Sequence, residues 1–302
     1  MNPTQRNKPR RSALYTPGAN PRAMEKTRQV PADVFILDLE DAVAPDSKLE
    51  ARQHVTAFLQ QHKADKRELI VRVNGLDTPW CADDLRAVIS LGISGILFPK
   101  INSRRDVERA EEMLTAAGAP ASMQLWCMIE TPLSILNLHA IAQHAENSAS
   151  RMSVWVMGTN DLVKELRAQH TPDRTPMLYA LGAALNAARA HGLGILDGVH
   201  NDIADSEGLT RVCEQGRAMG FDGKTVIHPS QVDQCNRIFS PDPEAVENAR
   251  RIIAAFDRPE NAGKGVLQVD GKMVELLHAA IARDTIAIAD AIAALQADQA
   301  AA

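Results

Sequence analysis

"MQLWCMIETP", Met123 to Pro132, is the stretch on which the fold turns. Met123 to Ile129 is almost wholly apolar, interrupted only by Gln124, and it is short. A run of that length with no polar face reads as a buried strand. It stops on Glu130, where it meets a Thr-Pro turn. A carboxylate at the rim of a core is costly unless something pairs with it, so this strand end is a place to look for chemistry.

Similar apolar runs recur at 13–15, 34–39, 69–73, 95–98, 153–157, 194–196 and 225–227. Helix-length amphipathic segments such as "DSKLEARQHVTAFLQQH" and "SRRDVERAEEMLTAAG" separate them. The first spaces Leu49, Val55 and Leu59 at helical intervals, with Asp46 or Ser47 as its N-cap. Eight strands alternating with helices predict an α/β fold, a (β/α)8 TIM barrel. The competitor is an open doubly wound sheet, which usually carries a Gly-rich phosphate loop after its first strand; "TPGANP" is no such fingerprint. After Ser240 the pattern changes to a helix, "SPDPEAVENARRIIAAFDRPE", a hairpin-like "GKGVLQVDGKMVEL" and an Ala-rich helix. The expected division is a flexible leader over 1–10, a barrel over 11–241, and a C-terminal appendage over 242–302 serving as lid and oligomerisation element.

Composition narrows the function. The 302 residues are 45% hydrophobic and 24% charged, ordinary for a globular protein, and the net charge of −5 offers no general basic field for nucleic acid. The longest apolar runs fall far short of the roughly 20 residues that cross a bilayer, so no membrane partner is expected. The basic start, "MNPTQRNKPRRSALYTPGAN", has no apolar segment of a signal peptide after it and reads as a leader, or alternatively as a weak anion-attracting arm. Cys81, Cys127, Cys213 and Cys235 are widely scattered with no C-x-x-C pair, which fits buried thiols in the cytoplasm or a similar reducing compartment.

Active sites of such barrels sit at the C-terminal ends of the strands, and those ends are polar here. They offer Asp38, Glu40 and Asp41 in "LDLEDAV", Arg72 and Asn74 in "VRVNG", Lys100 in "FPK", Glu130, Asn160 and Asp161 in "GTNDL", Asp197 in "LDGVH", and His228 in "IHP". Glu130 and Asp161 are placed at the same end of neighbouring strands, about 4.8 Å apart in a sheet. Two carboxylates that close repel unless a proton or cation lies between them, and an oxygen-only pair suits Mg²⁺ with substrate oxygens and water. Arg72, two strands away, presents a fork for a substrate carboxylate. Structural readings compete: Arg72 neutralising Glu40 or Asp41 in an ion-pair ring, Asp161 as the N-cap of "LVKEL", and His228 as a turn residue before Pro229.

"RSALYTPGANPRAMEK", "FILDLEDAVAPDSKLEAR", "VRVNG", "LFPKI", "IETP", "GTNDL" and "GFDGKTVIHPSQV", in this order from about Arg11 to Ile238, resemble the citrate lyase β-subunit-like family of the HpcH/HpaI aldolase/citrate lyase superfamily. That family includes malyl-CoA and citramalyl-CoA lyases. The resemblance implies a barrel that binds Mg²⁺ through Glu130 and Asp161 and holds a short 2-oxo or 2-hydroxy acid through Arg72 and the backbone of Gly158, Thr159 and Asn160. It implies CoA contacts at Tyr15, Arg22, Lys26, Ile227 and His228, with Arg22 standing where some relatives have Lys. It also implies a homotrimer or homohexamer in which the C-terminal piece reaches a neighbour's site. There the family commonly reads "GKMID", its Asp acting as proton donor or acceptor; this chain reads "GKMVE", so Glu275 takes that catalytic place, with Asp270 just upstream as a lesser substitute.

The expected function is a Mg²⁺-dependent carbon–carbon lyase that cleaves a short 3-hydroxyacyl-CoA to a 2-oxo acid and an acyl-CoA. Two other readings stand beside it: the β subunit of a multi-subunit citrate lyase, and a protein that binds oxaloacetate-like acids without turnover.

Overall fold

The computed structural model describes residues 8–61 and 67–301. Eight strands, β1 (Ser12–Pro17), β2 (Val34–Asp38), β3 (Glu68–Arg72), β4 (Gly95–Phe98), β5 (Gln124–Ile129), β6 (Met152–Met157), β7 (Gly194–Asp197) and β8 (Gly223–Val226), pair in sequence order. All pairs are parallel, and β1 closes on β8 with Ser12 opposite Lys224. The expected TIM barrel is the observed fold.

The strands are apolar on both faces because each face meets a core. Successive side chains point to opposite sides of a strand. Ala13, Ile36, Ile70, Leu97, Trp126, Met128, Val154 and Leu196 fill the interior. Leu37, Val71, Phe98, Cys127, Trp155 and Ile195 face the helix layer. The helix Lys48–Gln61 shows how that layer forms: it buries Ala51, Val55, Phe58 and Leu59. Leu49, expected on that face, is instead 63% exposed. Neither expected N-cap acts as one, since Pro45–Ser47 forms a 3-10 turn that leads into the helix. Lys48 folds back, its Nζ donating to the carbonyls of Leu39 (2.8 Å) and Glu40 (2.7 Å), which fixes the chain leaving β2.

The lower end of the barrel is closed by a polar plug. Arg10 is buried and forks onto Glu68 (2.6 and 3.0 Å), Gln124 donates to Glu68 (2.7 Å), and Trp126 and Ser153 both donate to Gln124 Oε1 (3.0 and 2.9 Å). Arg11 holds Asp33 in the same way at 2.8 and 2.7 Å. Arg10 therefore belongs to the barrel and not to a leader; residues 1–7 of the expected leader lie outside the described residues.

The first compact unit ends at Phe239 and the second spans Ser240–Ala302, two residues earlier than expected. Within the second unit, helix Pro243–Phe256 is capped by Asp242, whose Oδ1 accepts from the Glu244 amide at 2.8 Å. Strands Val266–Val269 and Lys272–Glu275 form an antiparallel hairpin. Its turn is Asp270-Gly271, both at positive φ (50° and 77°), the two-residue connection that suits a hairpin's twist. Asp270 is thus a turn residue, paired with Arg251 at 2.9 Å. Helix Leu276–Ala301 follows, and Ala249, Ile252, Val274, Ala279 and Ala282 bury together with Phe256, Leu267 and Ile286 against them. Short as it is, this segment has a small core of its own, made by its hairpin and two helices. No helix among the described residues is long and apolar enough to cross a membrane.

Candidate active site

A cavity of about 350 Å³ opens at the C-terminal ends of the strands. Tyr15, Arg72, Glu130, Gly158, Thr159, Asn160, Asp161 and Ile227 all line it. Arg22 and Lys26 sit exposed on helix Pro21–Thr27 and do not line it. His228 is also exposed and caps the turn Pro229–Gln231, its Nδ1 against the Ser230 hydroxyl at 2.8 Å, which is the turn role. Glu275 lies exposed in the second unit, its amide donating to His278 Nδ1 at 3.0 Å.

Glu130 follows β5 directly and is 1% exposed. Its Oε1 accepts from the Lys100 amide at 2.7 Å. Burial, then the nearby charge of Glu40, pushes this carboxyl up to about 8; Arg72 and the Lys100 amide oppose them only in part. Asp161 is not at a strand end as expected. It sits in the first turn of helix Thr159–Leu166, where helix amide groups favour an acidic residue, and Gly158 holds the cap position expected of Asp161. The Gly158 amide bonds to Ile129 O (3.0 Å), which brings this turn against the end of β5. A Cβ on Gly158 would stand 2.4 Å from both Glu130 Cβ and Glu130 Oε2. Glycine is needed here for space, since φ is −93°.

Arg72 ends β3 directly opposite Asp38 at the end of β2. Its Nε and Nη2 fork onto Asp38 at 2.7 and 2.6 Å, and Nη1 reaches Glu40 at 2.9 Å and Asp41 at 3.7 Å. Its guanidinium stacks over the Tyr15 ring at 4.9 Å. The ion-pair ring is therefore real, with Asp38 as its main partner, and the fork expected to face a substrate is occupied by Asp38. Its Nη1 edge is also engaged, on Glu40 and Met128 Sδ (3.5 Å). Burial raises the Glu40 carboxyl to about 7 against the pull of Arg72. Arg72→Lys keeps the charge but loses the fork and leaves Asp38, 2% exposed, poorly held. We expect roughly 2–4 kcal/mol of lost stability, read as a lower denaturation midpoint; an unchanged midpoint would show that the fork carries no stability.

Asp38, Glu40, Asp41, Glu130 and Asp161 outnumber Arg72 and Lys100 around this cavity. A cation bound beside Glu130 would favour its ionised form against the burial that raises it. Among the described residues no group of three His, Cys, Asp or Glu side chains gathers to hold a metal. Glu130 and Asp161, oxygen donors lining one cavity, are a pair that would fit Mg²⁺, which prefers substrate oxygens and water in its remaining positions.

Sequence reasoning missed Asp38 as the holder of Arg72, although aligning the ends of two neighbouring strands would have paired them. It also left out Met128, Met157, Val199 and Thr225, the apolar and hydroxyl walls of the cavity; nothing in their local sequence marks them.

The known proteins agree with this architecture. The HpcH/HpaI aldolase/citrate lyase family matches residues 11–229. The (3S)-malyl-CoA thioesterase of Cereibacter sphaeroides is 49% identical over 289 residues, covering 96% of this chain and 98% of the relative. The citrate lyase subunit beta of Escherichia coli is 35% identical over 271 residues, 88% of each chain. Among solved structures, CitE from Mycobacterium tuberculosis in complex with magnesium, acetoacetate and coenzyme A aligns with a TM-score of 0.71 at 28% identity, covering 92% of this chain and 97% of that one. By the match across its barrel, this chain belongs to the HpcH/HpaI aldolase/citrate lyase family.

Proposed function

We propose that this chain is a Mg²⁺-dependent enzyme acting on a malyl-CoA-type thioester, with hydrolysis to the hydroxy acid and free CoA as its net reaction. The observation that carries the metal-dependent chemistry is the Glu130–Asp161 pair on one cavity wall, in surroundings already short of positive charge. The hydrolytic outcome is supported by the relative named (3S)-malyl-CoA thioesterase, similar over nearly the whole chain.

Glu130 and Asp161 hold Mg²⁺, which supplies Lewis-acid stabilisation of the oxyanion that develops on the bound substrate. Arg72 adds positive charge for the acid's carboxylate, and the turn of Gly158, Thr159 and Asn160 borders the acid. Tyr15 and Ile227 flank the way in for the thioester arm, while exposed Arg22, Lys26 and His228 meet the phosphates of CoA. In hydrolysis, water attacks the thioester carbon, the carbon–sulfur bond breaks, and sulfur leaves as thiolate to take up a proton.

The second reading is the lyase, favoured by the relatives named citrate lyase subunit beta. There the substrate hydroxyl loses its proton, the carbon–carbon bond breaks, and the enolate of the acyl-CoA is protonated. Incubating the protein with Mg²⁺ and (3S)-malyl-CoA, citramalyl-CoA or hydroxymethylglutaryl-CoA separates the readings by product. Free CoA with malate supports hydrolysis; glyoxylate with acetyl-CoA establishes the lyase; no turnover of any thioester overturns both.

We assign Glu275 to proton transfer at a neighbouring chain's site in a homotrimer or homohexamer in the cytoplasm. Met273, Leu276, Leu277 and Ile281 support the assembly, because they leave an exposed apolar face beside Glu275. Asp161→Ala and Glu275→Ala chains, each inactive alone, are expected to regain activity when unfolded together and reassembled. No recovery in verified mixed oligomers would place Glu275 outside the shared site.

A further inference from the structure

Four non-glycine residues among those described have left-handed backbone: Lys100, Arg167, Arg174 and Asp270. Three are explained by local turns. Arg167 is a helix C-cap, Arg174 precedes the 3-10 turn Thr175–Met177, and Asp270 is in the hairpin turn. Lys100, at φ 54°, belongs to none of these settings; it follows Pro99 just past the end of β4. A residue with a Cβ adopts this conformation at a cost, so something around it must compensate.

The compensation is visible in where its main chain points. The Lys100 amide donates to Glu130 Oε1 at 2.7 Å, a short bond to a carboxylate that is 1% exposed. That bond fixes one oxygen of Glu130 and leaves Oε2 on the side of Gly158, where an added Cβ would stand only 2.4 Å from it. The Lys100 side chain runs elsewhere. It is 48% exposed, and its Nζ lies 3.4 Å from Glu40 Oε1, with Glu40 in turn on Arg72 at 2.9 Å. The main-chain contact is the shorter and the more buried of the two.

We propose that Lys100 is a positioning residue for Glu130: its left-handed backbone turns the amide onto Oε1 and so sets the direction in which Oε2 meets the cavity. The assignment deepens the reading in which Glu130 holds Mg²⁺, and rests on it only for the metal measurement below. What matters at this position is tolerance of the left-handed conformation and not the lysine charge. Asn and Gly accept that conformation, whereas a β-branched residue resists it.

Two readouts test this. In metal-free protein labelled with ¹⁵N-lysine, the Lys100 amide signal is identified by its loss in Lys100→Asn. Glu130→Ala, checked for folding by circular dichroism, is expected to speed exchange of that amide by about tenfold or more, with the other lysine amides unchanged. Unchanged exchange at Lys100 overturns the proposal. The second readout is calorimetric Mg²⁺ affinity with oxaloacetate present. Lys100→Asn and Lys100→Gly are expected within about threefold of wild type and Lys100→Val weaker by about tenfold or more, the scale of losing an outer-shell partner. Equal affinity in Lys100→Val, or equal losses in all three variants, overturns it. If wild type binds no Mg²⁺, the metal reading fails and the exchange measurement alone decides the Lys100–Glu130 contact, as it also does if Lys100→Val does not fold.

Discussion

Glu130→Gln is expected to abolish Mg²⁺ binding in the presence of oxaloacetate while leaving the barrel folded. The amide has nearly the shape of the carboxylate and keeps an oxygen for the Lys100 N–H, so packing and that hydrogen bond survive. Burial and Glu40 push the carboxyl to about 8, so ionising it opposes folding, and a neutral isostere removes that opposition. The denaturation midpoint is therefore expected to hold or rise at pH 7. Metal affinity is expected to drop by more than about 100-fold, beyond what loss of an outer-shell partner produces. Lewis-acid stabilisation is worth several kcal/mol, so turnover of the thioester should fall by about 10³ or more. Asp161→Ala is expected to behave alike. Unchanged Mg²⁺ affinity in both variants would remove these residues from the metal site.

Gly158→Ala is expected to be nearly as damaging although it adds one methyl group. The new Cβ would meet Glu130 Cβ and Oε2 at 2.4 Å, closer than real Cβ contacts allow, and would press on Met128 Cε at 3.0 Å. The backbone at φ −93° accepts alanine, so the whole effect is steric. Glu130, held on its other oxygen by Lys100, has to yield. Overpacking a tight site costs about 1–3 kcal/mol of stability, and a displacement near 1 Å in a reacting geometry costs about 10² in rate. Gly182→Ala is the control. Nothing lies within 4 Å of its added Cβ, and it sits inside helix Leu178–Ala190, where alanine is favoured by about 0.5–1 kcal/mol. Normal metal affinity and turnover in Gly158→Ala would show that Glu130 relocates without consequence.

The barrel was legible because its signal is periodic and repeated. Each of the eight apolar runs became a strand, with ends displaced by no more than a few residues, as at β1, which runs from Ser12 to Pro17. Burial on both faces forces such runs, and the helices between them show their own spacing. The site was legible as a set of strand ends: Arg72, Glu130 and the Gly158–Asp161 turn do converge on one cavity.

What stayed hidden depends on neighbours distant in sequence or on backbone angles. Asp38 and Arg72 are 34 residues apart and meet through strand register. Cys213 and Cys235, scattered in the sequence, lie with their sulfurs 3.5 Å apart where two helices pack. The left-handed turn at Lys100 has no sequence signal, since lysine is not a residue that favours it. The second unit's small core, built around Val274 and Ile252, depends on a hairpin folding onto two helices, a pairing that no local spacing marks.

A crystal structure of this protein with Mn²⁺ in place of Mg²⁺ and oxaloacetate bound, read by the anomalous signal of the metal, locates the ion directly. The predicted result is one Mn²⁺ per chain in the barrel mouth, ligated by carboxylate oxygens of Glu130 and Asp161 and by oxygens of the acid. An ion held by other residues, or oxaloacetate bound in the cavity with no ion between Glu130 and Asp161, would contradict it.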